Sequence, residues 1–554
     1  MNPRVCPFAA LPLAVLVGCP PWPDLVGCEE AGACETTGGT STGGDETPTT
    51  SDGVHTVTGD SVDPSSGSSA AGPDEETGAG TTGTTDQPVE PPLIVDGVVI
   101  PDYIDENGMI EVEVTTQHAE GVRMLLDDGD LIALTPGRPG EFAGQIPAFT
   151  GLDNGKHTIV LTPWRDMIEG ESVEADYVIA LPKPGDETGW HFDGVNGNVA
   201  AIAALPDGRP VEFGTFEEMG APRCYLRLRE RKGEPLEFIP VLAAAYCRAI
   251  DLKIDRDSGM MRLLLERQNG DEIVWWAGEI SAWGKGLKNI GIGAAGDTAL
   301  ALAARPDVVA VCGSRAVATK DKLDALAVLL RPNEPAEARL FDYWPSNDPT
   351  KKNTFAETAR DCAFAGDTLV LVGEANGWHE AAENILKFRD RLMVIEFDLA
   401  VADDPAWTVA GLQQGVQTRA LALDVDDQYR YHLAGYTCTD ACEPVGEVRI
   451  YEPGGELVDH TSLGPLGSAW FGPNDIAWSP AGYAVVALGE LQGQAFVFKV
   501  QAIAPGVPLP LWTFLPNDKQ GLQLALAVAV GPYGEVYAGG IAAGDHPAFA
   551  RIGG

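Results

Sequence analysis

Asp475-Ile476-Ala477-Trp478-Ser479-Pro480-Ala481-Gly482 and Ala527-Val528-Ala529-Val530-Gly531-Pro532-Tyr533-Gly534 follow one pattern, a small or apolar strand running into a Pro/Gly turn. The same pattern appears in Ala201-Ile202-Ala203-Ala204-Leu205-Pro206-Asp207-Gly208 and in Ala301-Leu302-Ala303-Ala304-Arg305-Pro306-Asp307. Three of the four then enter a second strand that ends at glycine, over residues 309–313, 483–489 and 536–540. Residues 364–373 and 420–435 are further copies with altered turns, and 252–265 reads as another. The prolines at 206, 306, 480 and 532 are spaced as multiples of one unit, so residues 190–554 hold seven units of about 52 residues. One four-stranded sheet cannot cover both of its faces, and stacking such sheets radially does. A period of this size with several strands per unit predicts a β-propeller of about seven blades. A strand near residues 190–192 is expected to complete the last unit and close the ring. A solenoid is the competing architecture.

Outward from the repeats, residues 91–185 change character. Ile110-Glu111-Val112-Glu113-Val114 alternates with period two, as a half-buried strand does. Residues 122–126 and 131–134 flank Asp127-Asp128-Gly129-Asp130 and predict a hairpin. Asn154-Gly155 marks another turn before a strand at 157–161, and 173–181 ends the segment. About seven short strands over this length predict a β-sandwich. Leu152-Asp153-Asn154-Gly155-Lys156-His157-Thr158 resembles the late hairpin of bacterial immunoglobulin-like modules, which implies an immunoglobulin-like fold for 91–185. His157, at a strand edge, is read as structural. The repeat units likewise resemble those of bacterial extracellular propeller proteins. The fold class expected is therefore all-β, an immunoglobulin-like sandwich followed by a propeller over 190–554.

The N-terminal ninety residues read differently. Residues 1–4 carry a positive charge, 8–17 form a short apolar run, and Leu16-Val17-Gly18-Cys19 ends it. The run suits a signal-peptide core and is too short to span a bilayer. The four residues resemble the bacterial lipobox, which implies cleavage of residues 1–18 and a lipid on Cys19. A second Leu-Val-Gly-Cys ends at Cys28, farther from the apolar run. Residues 19–90 are rich in Thr, Gly, Ser, Asp and Glu and bury too little apolar surface to offset ordering, so a disordered tether is expected. A flexible coil of ~60 residues averages roughly 40–45 Å end to end. Lipobox plus spacer is similar to the arrangement of Gram-negative surface lipoproteins. That implies a cell-envelope location at the outer membrane, surface-exposed or periplasm-facing.

Ten cysteines are present. With Cys6 in the leader and Cys19 lipidated, eight remain, an even number suited to an oxidising compartment. Pairing of sequence neighbours is expected: Cys28 with Cys34, Cys224 with Cys247, Cys312 with Cys362, and Cys438 with Cys442. Zinc at Cys438 and Cys442 is the competing reading, with only His432 nearby.

The formal charge of −44 argues against nucleic acid as a partner, since phosphates demand a basic footprint. It also argues against a polybasic membrane face, which leaves the lipid on Cys19 as the expected membrane contact. No Gly-x-Ser-x-Gly, His-Glu-x-x-His or Gly-x-x-x-x-Gly-Lys-Ser/Thr string occurs. Gly291-Ile292-Gly293-Ala294-Ala295-Gly296 spells a dinucleotide fingerprint but enters a predicted propeller strand, so it is read as a connection between units. The acidic strings at 255–259 and 424–427 are read as turns. Arg227, Arg229, Arg231 and Lys232 form a basic cluster, read as ion-paired. His379 and Glu380 fall in a predicted loop insertion, 378–384, a place where propellers often bind.

Pro473-Asn474-Asp475-Ile476-Ala477-Trp478-Ser479-Pro480 resembles one blade entry of the calcium-dependent gluconolactonase and strictosidine-synthase-like propellers. The resemblance implies Asn474 or Asp475 as a ligand to Ca2+, with Asp361 as the close counterpart; hard cations need several oxygens at once. The other copies place Ala201, Ala301, Ala420 and Ala527 at that position, which suits a packed inner ring. The leading expectation is a lipid-anchored envelope protein presenting a propeller to a protein or glycan partner. The alternative is an exported calcium-dependent hydrolase or lactonase of propeller type.

Overall fold

A computed structural model describes residues 90–554, apart from 128, 130, 149–150, 152–153, 193–194, 243–245, 256–257, 282–283, 318–321, 342–354, 381–385, 400–405, 411–416, 439–443, 467–471, 493–494, 518–522 and 543–545. The expected leader, Cys19, Cys28, Cys34, Cys442 and the tether lie outside the described residues. The described residues are strands and their connections, with no α-helix.

The N-terminal part is built from two sheets. Leu93–Val99, Gly108–Gln117, Glu141–Ala148 and Thr135–Pro136 form one. Tyr103–Ile104, Val173–Ile179, Gly155–Arg165, Gly121–Leu126 and Leu131–Ala133 form the other, with Ile168–Glu169 paired beside Gly155–Arg165. Along Gly108–Gln117 every second residue is buried, from Ile110 through Val112 and Val114 to Thr116. That alternation turns one face toward the second sheet, and Ile110, Val112, Val114 and Phe142 share a core with Met124, Ile159, Leu161 and Tyr177. His157 is structural here: its Nδ1 lies 2.5 Å from Asp127 Oδ2, and its ring stacks on Tyr177.

The remaining strands form seven four-stranded antiparallel sheets. Their first strands are Gly197–Ala204, Cys247–Ile254, Asp297–Ala304, Phe355–Ala365, Gln417–Val425, Pro473–Ser479 and Leu524–Val530, numbered here as sheets one to seven. Each sheet is a meander, because short turns join neighbouring strands. In sheet one the Pro206-Asp207-Gly208 turn needs Gly208 in the left-handed region, at φ +83°. Sheet seven differs: its fourth strand is Glu187–Phe192, supplied from the start of the region and paired with His546–Ile552. Residues 190–192 thus complete the last unit, as their sequence suggests.

Apolar residues fill the space between sheets. Val211, Phe213 and Leu226 of sheet one pack with Leu263, Leu265 and Trp276 of sheet two. Similar clusters join sheets two and three, three and four, four and five, five and six, and six and seven. A seventh cluster sets Ile202 of sheet one against Ala527, Tyr537 and Phe549 of sheet seven. The arrangement is propeller-like, and its first strands surround an axial channel. Residues 92–554, sandwich included, belong to one compact unit. Arg231 donates to Asn107 O and pairs with Glu535, while Lys232 Nζ lies 2.5 Å from Glu106, so these residues tie the sandwich to sheets one and seven.

Candidate functional site

All seven first strands carry the same irregularity. One extra residue interrupts the pairing with the second strand at Ala200, Ile250, Leu300, Arg360, Leu421, Asn474 and Leu526. Such a bulge bends the strand and re-aims its neighbours. All seven extra residues line an open axial cavity of about 240 Å³. The bulge also explains the recurrent glycine of the second strand, which lies within that strand and does not end it as the sequence suggests. A Cβ on Gly313, Gly373, Gly435 or Gly540 would sit 1.8–2.0 Å from the carbonyl oxygen of Thr298, Thr358, Arg419 or Leu524.

The residue after the bulge is Ala201, Asp251, Ala301, Asp361, Ala422, Asp475 and Ala527 in turn. Asp361 and Asp475 therefore occupy equivalent places, as the sequence comparison suggests. Two corrections apply to that comparison. In sheet five the equivalent residue is Ala422, two beyond Ala420, because the bulge lies at Leu421. In sheet two a third carboxylate, Asp251, takes the place; a repeat boundary drawn at Leu252 cuts it off. Asp424, two residues past Ala422, is a strand residue lining the channel rather than part of a turn.

These carboxylates join sheets. Asp251 accepts from its own neighbour's Leu252 N–H at 2.7 Å and from Leu302 N–H of sheet three at 2.8 Å. Asp361 accepts from Cys362 N–H at 2.8 Å and Leu423 N–H of sheet five at 2.7 Å. Asp475 accepts from Ile476 N–H at 2.9 Å and Val528 N–H of sheet seven at 2.8 Å. Asp424 accepts from Val425 N–H at 2.8 Å and Trp478 N–H of sheet six at 2.6 Å. Each carboxylate thus uses one oxygen within its sheet and the other across a seam.

The seams lacking a carboxylate between sheets one and two and between three and four have a covalent link. Cys224 is bridged to Cys247, and Cys312 to Cys362. Both pairs are sequence neighbours among the cysteines. Cys438 is buried, and its expected partner Cys442 lies outside the described residues. The seam from seven to one is held by the Tyr537 hydroxyl, which donates to Gly208 O at 2.9 Å, and by the Arg231–Glu535 pair.

Lys253 of sheet two reaches into the channel, its ammonium 3.7 Å from Asp251 Oδ2. Burial opposes its charge, but Asp251, Asp361, Asp475 and Asp424 outweigh it and hold the amine protonated above the usual lysine range. Burial pushes Asp361 up to about 7 and Asp475 up to about 8, against the pull of Lys253 and their backbone N–H donors. Arg360 is turned to Glu374, with Nε 2.9 and 3.0 Å from the two carboxylate oxygens.

The three residues singled out for Ca2+ are placed as follows. Asn474 donates to Ala525 O at 2.6 Å, and Asp475 and Asp361 spend one lone pair of every carboxylate oxygen on backbone N–H groups. Among the described residues no group of three or more His, Cys, Asp or Glu is arranged to hold a metal ion. The basic cluster is ion-paired: Arg227 and Arg229 face Glu212, Arg231 faces Glu535, and Lys232 faces Glu106. His379 and Glu380 do not sit in a loop. They end the strand Thr368–Glu380, which pairs through to Leu386–Asp398, and their side chains lie outside the described residues. The glycine-rich string at 291–296 connects Lys288–Ile292 of sheet two to the first strand of sheet three. His432 is fully buried, with Nε2 2.9 Å from Asp426 and its ring 4.2 Å from Trp478; burial lowers its pKa.

No family model and no curated protein matches this sequence. Solved structures do. A protein of unknown function from Dyadobacter fermentans is 8% identical at a TM-score of 0.37, covering 67% of this chain and 99% of that one. The β-propeller domain of the Trilobed protease from Pyrococcus furiosus, described as having an open velcro topology, is 12% identical at 0.40, covering 65% and 94%. Sqt1 from Chaetomium thermophilum is 10% identical at 0.36, covering 67% and 99%.

Proposed function

We propose that this chain is a lipid-anchored envelope protein whose closed seven-bladed β-propeller, carried on an immunoglobulin-like module and an acidic tether, binds a protein or glycan. The observation that carries a binding role is the use of the channel carboxylates. Their oxygens hold the sheets together, which leaves the loops and rim as the places where this scaffold meets a partner. The charge of −44 keeps an exposed protein soluble and speaks against nucleic acid. Leu16-Val17-Gly18-Cys19, followed by the Thr/Gly-rich spacer, supports the anchor on Cys19 and an outer-membrane location.

The test is expression of the full chain in a Gram-negative host with radiolabelled palmitate. Lipid label on the wild type and its loss in Cys19→Ala, with release of the protein from the membrane fraction, is the expected result. Equal membrane retention of both would defeat the anchor. Glycan arrays and cross-linking on intact cells then search for the partner. Midpoints of unfolding with calcium and with chelator separate the binding role from a cation-dependent hydrolase. A calcium shift abolished by Asp475→Ala would replace the binding role with that enzyme.

A further inference from the structure

The charged groups facing the axial channel are few. Sheet two contributes Asp251 and Lys253, sheet four Arg360 and Asp361, sheet five Asp424, and sheet six Asp475. Arg360 is committed to Glu374, so it brings no surplus positive charge. One ammonium therefore stands against four carboxylates that hold the seams two–three, four–five, five–six and six–seven. Lys253 and Asp424 sit at the same level, each three residues past its bulge, and Asp251, Asp361 and Asp475 lie one step past theirs. The five groups line one channel, with Lys253 Nζ 3.7 Å from Asp251 Oδ2, and there like charges repel more strongly than in water.

We propose that Lys253 is the keystone charge of the ring, the shared counter-ion for four seam carboxylates, which damps the sensitivity of the hold between sheets to pH. Without the ammonium, four negative groups face one another unopposed. The cluster then survives where carboxylates take up protons and loosens where all are ionised. Burial is the main cause of the upward push on Asp361 and Asp475, and the charge of Asp251 adds to it. Lys253 is thus a positioning residue: it acts on the carboxylates, and the carboxylates hold the seams.

The experiment follows thermal unfolding of the full chain at pH 5.5 and pH 9 for wild type, K253M, K253R and K253M/D251N. The quantity read is the fall in midpoint between the two pH values. K253M is expected to enlarge that fall several-fold, K253R to match wild type, and D251N in the K253M background to shrink it again. A merely structural lysine would lower the midpoint equally at both pH values, and that result overturns the proposal. An enlarged fall that D251N leaves unchanged overturns it as well. Where K253M does not fold, D251N alone serves: with Lys253 present it should flatten the wild-type pH dependence, and an unchanged slope rejects the keystone.

Discussion

Asp361 shows how one side chain can join two sheets. Its oxygens accept from Cys362 and from Leu423, the latter 62 residues beyond Asp361, and hydrogen bonds to a charged acceptor contribute about 1.5–3 kcal/mol each. Asp361→Asn keeps the shape and turns one acceptor into a donor that faces an N–H. A loss of about 1–3 kcal/mol in urea unfolding is expected, with unchanged activity of any peripheral binding site. The glycines opposite the bulge are a second residue-scale case. In Gly435→Ala the new Cβ would meet the Arg419 carbonyl at 2.0 Å, and backbone cannot swing aside as a side chain does. Overpacking of this kind costs about 1–3 kcal/mol, so the urea midpoint should fall; a midpoint equal to wild type would refute the steric account. Sequence alone displays the recurrent glycine and Asp475. It does not display Asp251, because the residues around it, Ala249-Ile250-Asp251-Leu252, lack the Pro/Gly turn by which the other copies are aligned.

At the scale of strands and sheets, the two disulfides and the four carboxylates hold all the seams but the one between sheets seven and one. Cys224–Cys247 links the third strand of sheet one to the first of sheet two, and Cys312–Cys362 links the second strand of sheet three to the first of sheet four. Replacing either pair with serine removes a cross-link of a kind that typically contributes about 2–4 kcal/mol. The expected outcome is a lower midpoint for each double variant and a still lower one for the quadruple variant. A quadruple variant as stable as wild type would show that apolar packing alone holds those two seams. The cysteine pairs were legible as sequence neighbours, since each closes a loop within or between adjacent repeats. The long hairpin of sheet four was not. Residues 378–380 lack alternation and read as an insertion, yet pairing with residues 386–388 extends the ladder through them.

For the molecule as a whole, two properties emerge from the seven packed sheets. One is titration. Asp361 and Asp475 are pushed above the ordinary carboxylate value, to about 7 and about 8, chiefly by burial. The folded state therefore holds protons that the unfolded chain has released, so their contribution to stability is complete at acid pH and is lost as pH rises through 7 to 8. Differential scanning calorimetry across pH 6 to 9 should show the midpoint falling, and a rising midpoint would contradict the burial of these groups. The other is the strand that sheet seven takes from the start of the region. Glu187–Phe192 supplies the outer strand of sheet seven, so a chain beginning at residue 195 leaves His546–Ile552 as an open edge. Such a chain should unfold at lower temperature and associate at high concentration in light scattering.

The period of about 52 residues, the all-β character, the strand alternation of 110–114 and the pairing of neighbouring cysteines were readable without coordinates, because these are local patterns of spacing and polarity. The tertiary structure alone decided which carboxylate reaches which sheet. A bulge shifts the register by one residue, and that shift sets Asp251, Asp361 and Asp475 over backbone N–H groups some fifty to sixty residues downstream. No local pattern encodes a partner that distant, and four carboxylates and Lys253 come to line one channel only in the folded chain.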